Sequence, residues 1–405
     1  MRYLFRFVSV CALGMVPLLV GCGDTGGTTG QVFPCTERGI RNAIADGGGP
    51  HMFDCHGPTT VVTEAEIVID NDVILDGEGN LTVDGSGIER VLSVKGEVVA
   101  EIRGFTVIGG AKCGVLNSGT LTVAQSRVSA NAGAGVCNSQ SIWYDGRTTI
   151  IDSVISGNAG RGIASGSGSV SLQSSTVSEN SGGGISNYVA GVTIRDSTVS
   201  RNSAARGGGI YSEAHDVNFS SAPAMRQKSP YDASVLIVNS TISQNSADEG
   251  GAIFSAFELS TVRMFNATVS QNSTVQGADI RSDSPVRAAN TLIDGDCLID
   301  SAIEPQSSGG NVESPGDSCF FGDVTDQVSV TPAELNLGPL EDNGGPTMTH
   351  ALLPGSIAID RMPEEACVDG HGEPLTKPLT TDQRGEPRPE TGGTMCDVGA
   401  FEVQP

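Results

Sequence analysis

Lysine is nearly missing from this chain: four occur, at positions 95, 112, 228 and 377. With 23 basic residues against 47 acidic ones, the formal net charge is −24. Such a surface argues against nucleic acid, whose phosphates need a basic face. Aromatic residues make up only 4%, with a single tryptophan, so a core built on large rings is excluded. No Cys-x-x-Cys pair occurs, and no His/Cys cluster has zinc spacing. No dense oxygen-ligand loop such as an EF-hand appears either. No cofactor is therefore expected; calcium would suit the acidity, but no motif supports it. Glycine, by contrast, is abundant at 54 residues. That composition suits many tight turns.

What fills the chain is a repeat. Ser126-Arg127-Val128-Ser129-Ala130-Asn131 returns as Ser153-Val154-Ile155-Ser156-Gly157-Asn158 and then as Ser175-Thr176-Val177-Ser178-Glu179-Asn180. It continues through the phrases ending at Asn202, Asn245 and Asn272. The asparagines lie 27, 22, 22, 43 and 27 residues apart, a base period of 22 with insertions. A fixed period with insertions marks a solenoid. Each repeat holds three short β-type segments and no helix-length apolar pattern. They are an apolar alternation such as Val192-Thr193-Ile194, the Val-Ser step before the asparagine, and a stretch after small residues such as Gly183-Gly184-Ile185. Three short strands close one coil, and each pairs with its equivalent one coil on, ~4.8 Å away. The glycines are expected at the corners. Asn131, Asn158, Asn180, Asn202, Asn245 and Asn272 are expected to form a structural ladder rather than a site.

The pattern resembles the right-handed β-helix repeat families, which include pectate-lyase-like folds and polymorphic outer-membrane protein repeats. That resemblance implies an all-β, right-handed, single-stranded parallel β-helix, expected over residues 58–295. Residues 35–57 are expected to cap its start. There Cys35 to Ile44 reads as a short amphipathic helix with Thr36 as N-cap and Ile40, Ala43 and Ile44 on one face. The segment resembles the Cys-Ser-Leu-Arg-Glu-Ala-type opening of exported β-helices, though its middle departs from it. Residues 296–332 are expected to link and close the other end. Residues 333–405 carry Leu337-Gly338-Pro339-Leu340-Glu341-Asp342-Asn343-Gly344-Gly345-Pro346, Thr381-Asp382-Gln383-Arg384-Gly385 and Cys396-Asp397-Val398-Gly399-Ala400-Phe401-Glu402. These closely resemble the choice-of-anchor Q domain of bacterial surface proteins and imply a C-terminal capping module. His350, Asp360 and Arg384 in this module are read as structural.

The N-terminus sets the expected compartment. Arg2 and Arg6 precede an apolar run from Val8 to Val20, too short to span a bilayer as a permanent helix. Leu19-Val20-Gly21-Cys22 resembles the lipobox of bacterial lipoproteins. It implies cleavage after residue 21, acylation of Cys22 and a flexible tether over 22–34. Gly23 rather than aspartate after the cysteine favours the outer membrane in the Gram-negative sorting pattern. A lipid-anchored, extracytoplasmic, surface-exposed protein is expected. Eight further cysteines suggest disulfides in such a protein. Pairing of sequence neighbours is the favoured choice among 105: Cys35/Cys55, Cys113/Cys137, Cys297/Cys319 and Cys367/Cys396.

β-Helices often host polysaccharide lyases and glycosidases. Polygalacturonase-type hydrolases use Asn-x-Asp, Asp-Asp, Gly-His-Gly and Arg-x-Lys motifs. This chain has no Asn-x-Asp and no Asp-Asp. Gly370-His371-Gly372 and Arg226-Gln227-Lys228 occur in the reverse order. The Arg-x-x-Pro pattern of pectate lyases appears only at Arg384-Gly385-Glu386-Pro387, within the terminal motif. Paired carboxylates carry glycoside hydrolysis, and no candidate pair stands out, so no catalytic residue is assigned. A carbohydrate-active lyase or hydrolase remains the alternative to a binding or adhesion protein. The binding reading rests on one edge. All three insertions, within about 138–147, 213–233 and 254–261, are read as entering after the third strand of a coil. Trp143, Tyr144, Tyr231, Tyr188 and Tyr211 share that corner, and His215, Arg226 and Lys228 add basic groups. Aromatics exposed there would stack on sugar rings or anchor an envelope or surface partner.

Overall fold

In the computed structural model, which describes residues 30–138, 146–213, 233–256, 260–300, 306–370 and 378–405, the alternating apolar residues of every repeat point into one continuous core. The coil of Asn180 shows the rule. Its strands are Gly168–Gln173, Thr176–Ser178 and Ile185–Asn187, and Val170, Leu172, Val177 and Ile185 are buried inside. Each strand pairs in parallel with the next coil, in the registers Val170↔Val192, Val177↔Val199 and Ile185↔Ile210. Among the described residues, ten third strands form one sheet, and the first and second strands join in a larger one. The fold is the parallel β-solenoid that the period implies.

The corners depart from expectation in their chemistry. Two corners turn on a single left-handed residue, and these residues are mostly not glycine. Gln125, Asp152, Ser174, Asp196 and Asn239 turn the chain between first and second strands, at φ 47–52°. Ala130, Glu179, Arg201, Gln244 and Gln271 turn it after the second strand, at φ 52–59°. Such a conformation costs about 1 kcal/mol or more for an L-residue. Buried side-chain ladders beside each turn offset it. After the first turn, Ser175 Oγ accepts the Ser153 amide at 3.1 Å and donates to Gln173 O at 2.7 Å. After the second, the six asparagines stack: each Nδ2 donates to the next Oδ1 at 2.9–3.0 Å, from Asn131 to Asn272. A third buried polar row, including Asn117, Asn138, Asn187 and Ser212, closes the remaining corner. Glycine is needed where coils approach closely: a Cβ on Gly184 would lie 2.5 Å from Gly209 O and 2.9 Å from Asn202 Nδ2.

Parallel pairing extends past 58–295 at both ends. Val32–Pro34, expected in the tether, pairs with Gly48–Asp54, and Cys35–Cys55 holds the two together. Helix Glu37–Asp46 covers the core, with Thr36 Oγ1 accepting the Gly39 amide at 3.1 Å and Ile40, Ala43 and Ile44 buried. At the other end Gln306–Ser307 and Val312–Ser314 add two strands without the Val-Ser-x-Asn phrase, so the repeat did not reveal them. Phe321 and the Cys297–Cys319 bridge close the core there, with Glu313 accepting the Ser318 and Cys319 amides. Cys113–Cys137 and Cys367–Cys396 complete four bridges between sequence neighbours.

The C-terminal module does more than close an end. It turns back and lies along the outer side of the second strands. Gln383 bonds Thr198 and Thr241, the Ala400 amide donates to Thr268 Oγ1, and His350 meets Ser243 Oγ at 2.8 Å. Asn239, Asn266 and Asn290 donate to Thr381 O, Val368 O and Ala366 O. A buried ion pair, Arg388–Glu402 at 3.0 Å, locks the seam, with Arg388 Nη1 also reaching Asn239 Oδ1.

Candidate functional site

A three-residue difference builds an open groove on the flank. Ile185 follows Asn180 by five positions, whereas Ile210, Ile253 and Ile280 follow Asn202, Asn245 and Asn272 by eight. The extra residues form a fourth strand in the wider coils, Ser203–Arg206, Ser246–Glu249 and Ser273–Thr274, paired in a small parallel sheet. The insertions therefore do not share one point of entry: three residues of each later one belong to the turn after the asparagine. Where narrow coils meet wide ones the surface steps, and the step makes an open groove of ≈ 810 Å³. Arg161, Ser181 and Tyr188 line it from the narrow side, and Arg206, Asp248 and Glu249 from the wide side.

Third-strand register sets its inner wall. Ser186, Tyr211, Phe254, Arg281 and Leu298 occupy one outward row, each a coil apart. Tyr211 and Phe254 stack with centroids 5.6 Å apart and planes 7° off parallel, and Tyr188 meets Tyr211 edge-on at 6.0 Å. Arg161 lies over both tyrosine rings, at 5.5 and 5.4 Å, and donates to Tyr188 Oη at 3.1 Å. Arg206 and Arg281 flank Phe254 at 5.4 and 5.3 Å, and both pair with Glu249. The Tyr211 hydroxyl donates to Glu213 Oε2 at 2.5 Å; burial, then this bond, push its pKa up.

The structure thus brings Tyr188 and Tyr211 together but corrects the expected mode of use. Their faces are occupied by each other, by Phe254 and by guanidiniums, so polar edges, not open rings, meet solvent. Trp143, Tyr144, His215, Arg226, Lys228 and Tyr231 lie outside the described residues, as do Cys22 and His371. Sequence reasoning missed Arg161, Arg206, Phe254, Arg281 and Glu249. Alignment of the third strands would have found Phe254 and Arg281, since each follows the repeat isoleucine as Tyr211 does. The change of spacing from five to eight was the signal for the step.

The terminal polar residues are built into the seam. His350 is buried, with Nδ1 facing Gly338 O at 2.7 Å, and burial lowers its pKa. Arg384 pairs with Asp382 and lies 3.7 Å over the Phe401 ring, while the Asp360 amide donates to Asp397. Burial, with the Asp397 charge adding to it, pushes Glu402 up to about 7 against the pull of Arg388. Among the described residues, no group of three or more His, Cys, Asp or Glu is placed to hold a metal ion. No helix among them is long and apolar enough to cross a membrane.

These features define a right-handed β-helix protein. The family model described as "Right handed beta helix region" matches residues 73–222 and 141–293, and the chain belongs to that family. Among solved structures, it is similar to one described as "Crystal structure of pectate lyase Pel9A", with a TM-score of 0.54 at 14% identity. The similarity covers 93% of this chain and 97% of that one, and at this identity it concerns the fold. No curated protein matches the chain in sequence.

Proposed function

We propose that this chain is a lipid-anchored β-helix protein of the bacterial outer membrane or cell surface that binds a glycan of its surroundings without cleaving it. The lipobox-like segment ending at Cys22 and the resemblance of residues 333–405 to the choice-of-anchor Q domain support the placement. The observation that carries the binding reading is Arg161 held over Tyr188 and Tyr211 at the mouth of an open groove. Arginine and tyrosine gathered in one half-buried patch beside an open groove are residue types that dominate recognition surfaces. Their hydrogen-bonded edges offer polar groups that sugar hydroxyls can meet. A glycan array probed with the mature chain tests the reading. Arg161→Ala with Tyr188→Ala should abolish the signal and leave the melting curve unchanged; undiminished binding would refute it. A carbohydrate lyase or hydrolase is the second reading, favoured by the likeness to a pectate lyase. It requires soluble products from an array-identified glycan, and their absence in an overnight digest decides against it.

A further inference from the structure

We infer that residues 378–405 form a proton-held strap, closed over the coils up to neutral pH and opening above it to bare an apolar patch on the first strands. The seam buries more negative charge than it neutralises. Asp382, Asp397 and Glu402 are buried on the strap, and Asp369 is buried ahead of it in the chain. From the coils, Asp196 faces Asp382 and Arg388. Among the described residues, three guanidiniums answer these five carboxylates. Arg384 pairs with Asp382 at 2.7 Å, Arg388 with Glu402 at 3.0 Å, and Arg195 of the coils reaches Asp369 at 3.7 Å. Asp397 is left with the Asp360 and Val403 amides and has the Asp360 charge nearby, and Asp196 is left with the Asn239 side chain. His350, the buried imidazole of the seam, faces Ser243 and Gly338 O, and burial lowers its pKa, so it adds no cation.

The central ion pair is also only half made. Arg388 Nε reaches Glu402 Oε2, while Arg388 Nη2 and Glu402 Oε1 are buried with no hydrogen-bond partner among the described residues. A buried carboxylate with a bare oxygen is costly, and taking up a proton removes the charge. Burial pushes Glu402 up, with the Asp397 charge adding to it, and burial also raises Asp196 and Asp397. Freed into solvent these groups are ordinary acids that ionise below neutrality, so opening releases protons and rising pH favours it. Opening also uncovers a surface. Leu379 of the strap packs on Leu236, Val238, Phe265 and Ala289, outward residues of the first strands. The seating is close: a Cβ on Gly399 would lie 2.7 Å from Thr268 Oγ1. Contacts this tight are made or lost together, so the strap has two states rather than a graded looseness. The Cys367–Cys396 bridge keeps the opened strap tethered.

Hydrogen exchange of the full chain at pH 6 and pH 8, corrected for base-catalysed intrinsic exchange, tests the proposal. The reporters are the Gly399 amide, which donates to Asn290 O, and the Ala400 amide, which donates to Thr268 Oγ1. With Glu402 titrating at about 7 when closed and 4.5 when open, their corrected rates should rise about tenfold between the two conditions. The Asn158 amide, in the middle of the asparagine ladder, should show no such rise. Glu402→Gln mimics the protonated acid and should abolish most of the rise. Asp196→Asn, on the coils, removes a charge facing Asp382 and should slow exchange at pH 8. A dye that fluoresces on apolar surface should brighten from pH 6 to pH 8 in the wild type and stay dark in Glu402→Gln. Flat corrected rates at Gly399 and Ala400, or the same rise in Glu402→Gln, would overturn the strap. An equal rise at Asn158 would overturn it too, since the whole solenoid would then be opening. If Glu402→Gln does not fold, Asp196→Asn decides, and unchanged exchange at pH 8 counts against the proposal. A dark dye beside rising exchange would overturn the bared patch.

Discussion

Replacing Asn180 by alanine removes one rung from the middle of the asparagine ladder, and the structure sets the cost. Asn180 Oδ1 accepts the Asn158 amide at 3.1 Å and Asn158 Nδ2 at 2.9 Å. Its Nδ2 donates to Asn202 Oδ1 at 2.9 Å and to Ile155 O at 3.1 Å. Asn158 Nδ2 still has Val128 O, and Asn202 Oδ1 still has the Asn180 amide. The Asn158 amide loses its acceptor inside the wall. One buried orphan donor costs about 1–3 kcal/mol, and each further lost bond about 1 kcal/mol. With three further bonds lost, the expected total is roughly 4–6 kcal/mol. Asn71→Ala, at an exposed asparagine, should stay within about 0.5 kcal/mol. The isosteric Asn180→Asp sharpens the test. It places a carboxylate oxygen against Asn202 Oδ1 and Ile155 O, both acceptors, so at pH 8 it should be worse than alanine. A protonated aspartate donates again, so its deficit should shrink as pH falls towards 5. Urea unfolding followed by circular dichroism gives the energies, and hydrogen exchange at the Asn158 amide reports the rung itself. An alanine cost below about 1 kcal/mol, or an aspartate no worse than alanine at pH 8, would refute the reasoning.

The seam has its own pH dependence. Glu402 has a folded pKa of about 7 against 4.5 unfolded, so the native state holds a proton that the unfolded chain releases between those values. This group's contribution is full below pH 4.5 and is lost as pH rises through 7, up to roughly 3 kcal/mol. Melting temperature should therefore fall less steeply between pH 5 and 8 in Glu402→Gln than in the wild type; parallel slopes would exclude the assignment. Removing the bridge with Cys113→Ser and Cys137→Ser opens a covalent loop between adjacent coils, which should cost about 3 kcal/mol. Non-reducing peptide maps should show that bridge in the wild type, and free thiols there would count against it. Lipidation at Cys22 should appear as incorporation of a clickable fatty acid that Cys22→Ala abolishes; equal labelling of both chains would end that reading.

The coil was legible because its signals are local and repeated. A period of 22, a serine, a β-branched residue and an asparagine recur whatever surrounds them, so the asparagine ladder could be placed by counting, while the serine ladder beside it emerged only from the structure. The ends were less legible. Val32–Pro34 and Val312–Ser314 are strands because a neighbouring coil offers its edge, not because of any phrase of their own. The groove was legible only by half. Tyr188 and Tyr211 stood out as rare residues, but Arg161, Arg206 and Arg281 are ordinary surface residues until register stacks them. Their sequence separations of 45 and 75 positions, from 161 to 206 and from 206 to 281, carry no signal without the pairing.

Register also explains how the terminal module finds its place on a repeating surface. The second strands present nearly identical outward pairs: Thr176 and Ser178, Thr198 and Ser200, Thr241 and Ser243, Thr268 and Ser270. A module that read only these would dock equally well one coil out of step. The left-handed turn residue before each strand breaks the tie. It is Asn at 239, 266 and 290, where a side-chain amide donates to a module carbonyl. It is Asp at 196, where Oδ1 accepts from Asn239 instead. At 174 it is Ser, and at 152 it is Asp again. A slip of one coil towards the N-terminus would set three module carbonyls against Asp196, Asn239 and Asn266. One carbonyl, that of Thr381, would then face the Asp196 carboxylate instead of a donor. The same conformational demand that selects Asn and Asp at these turns therefore supplies the side chains that encode the register. Turn chemistry and docking specificity are carried by one set of residues.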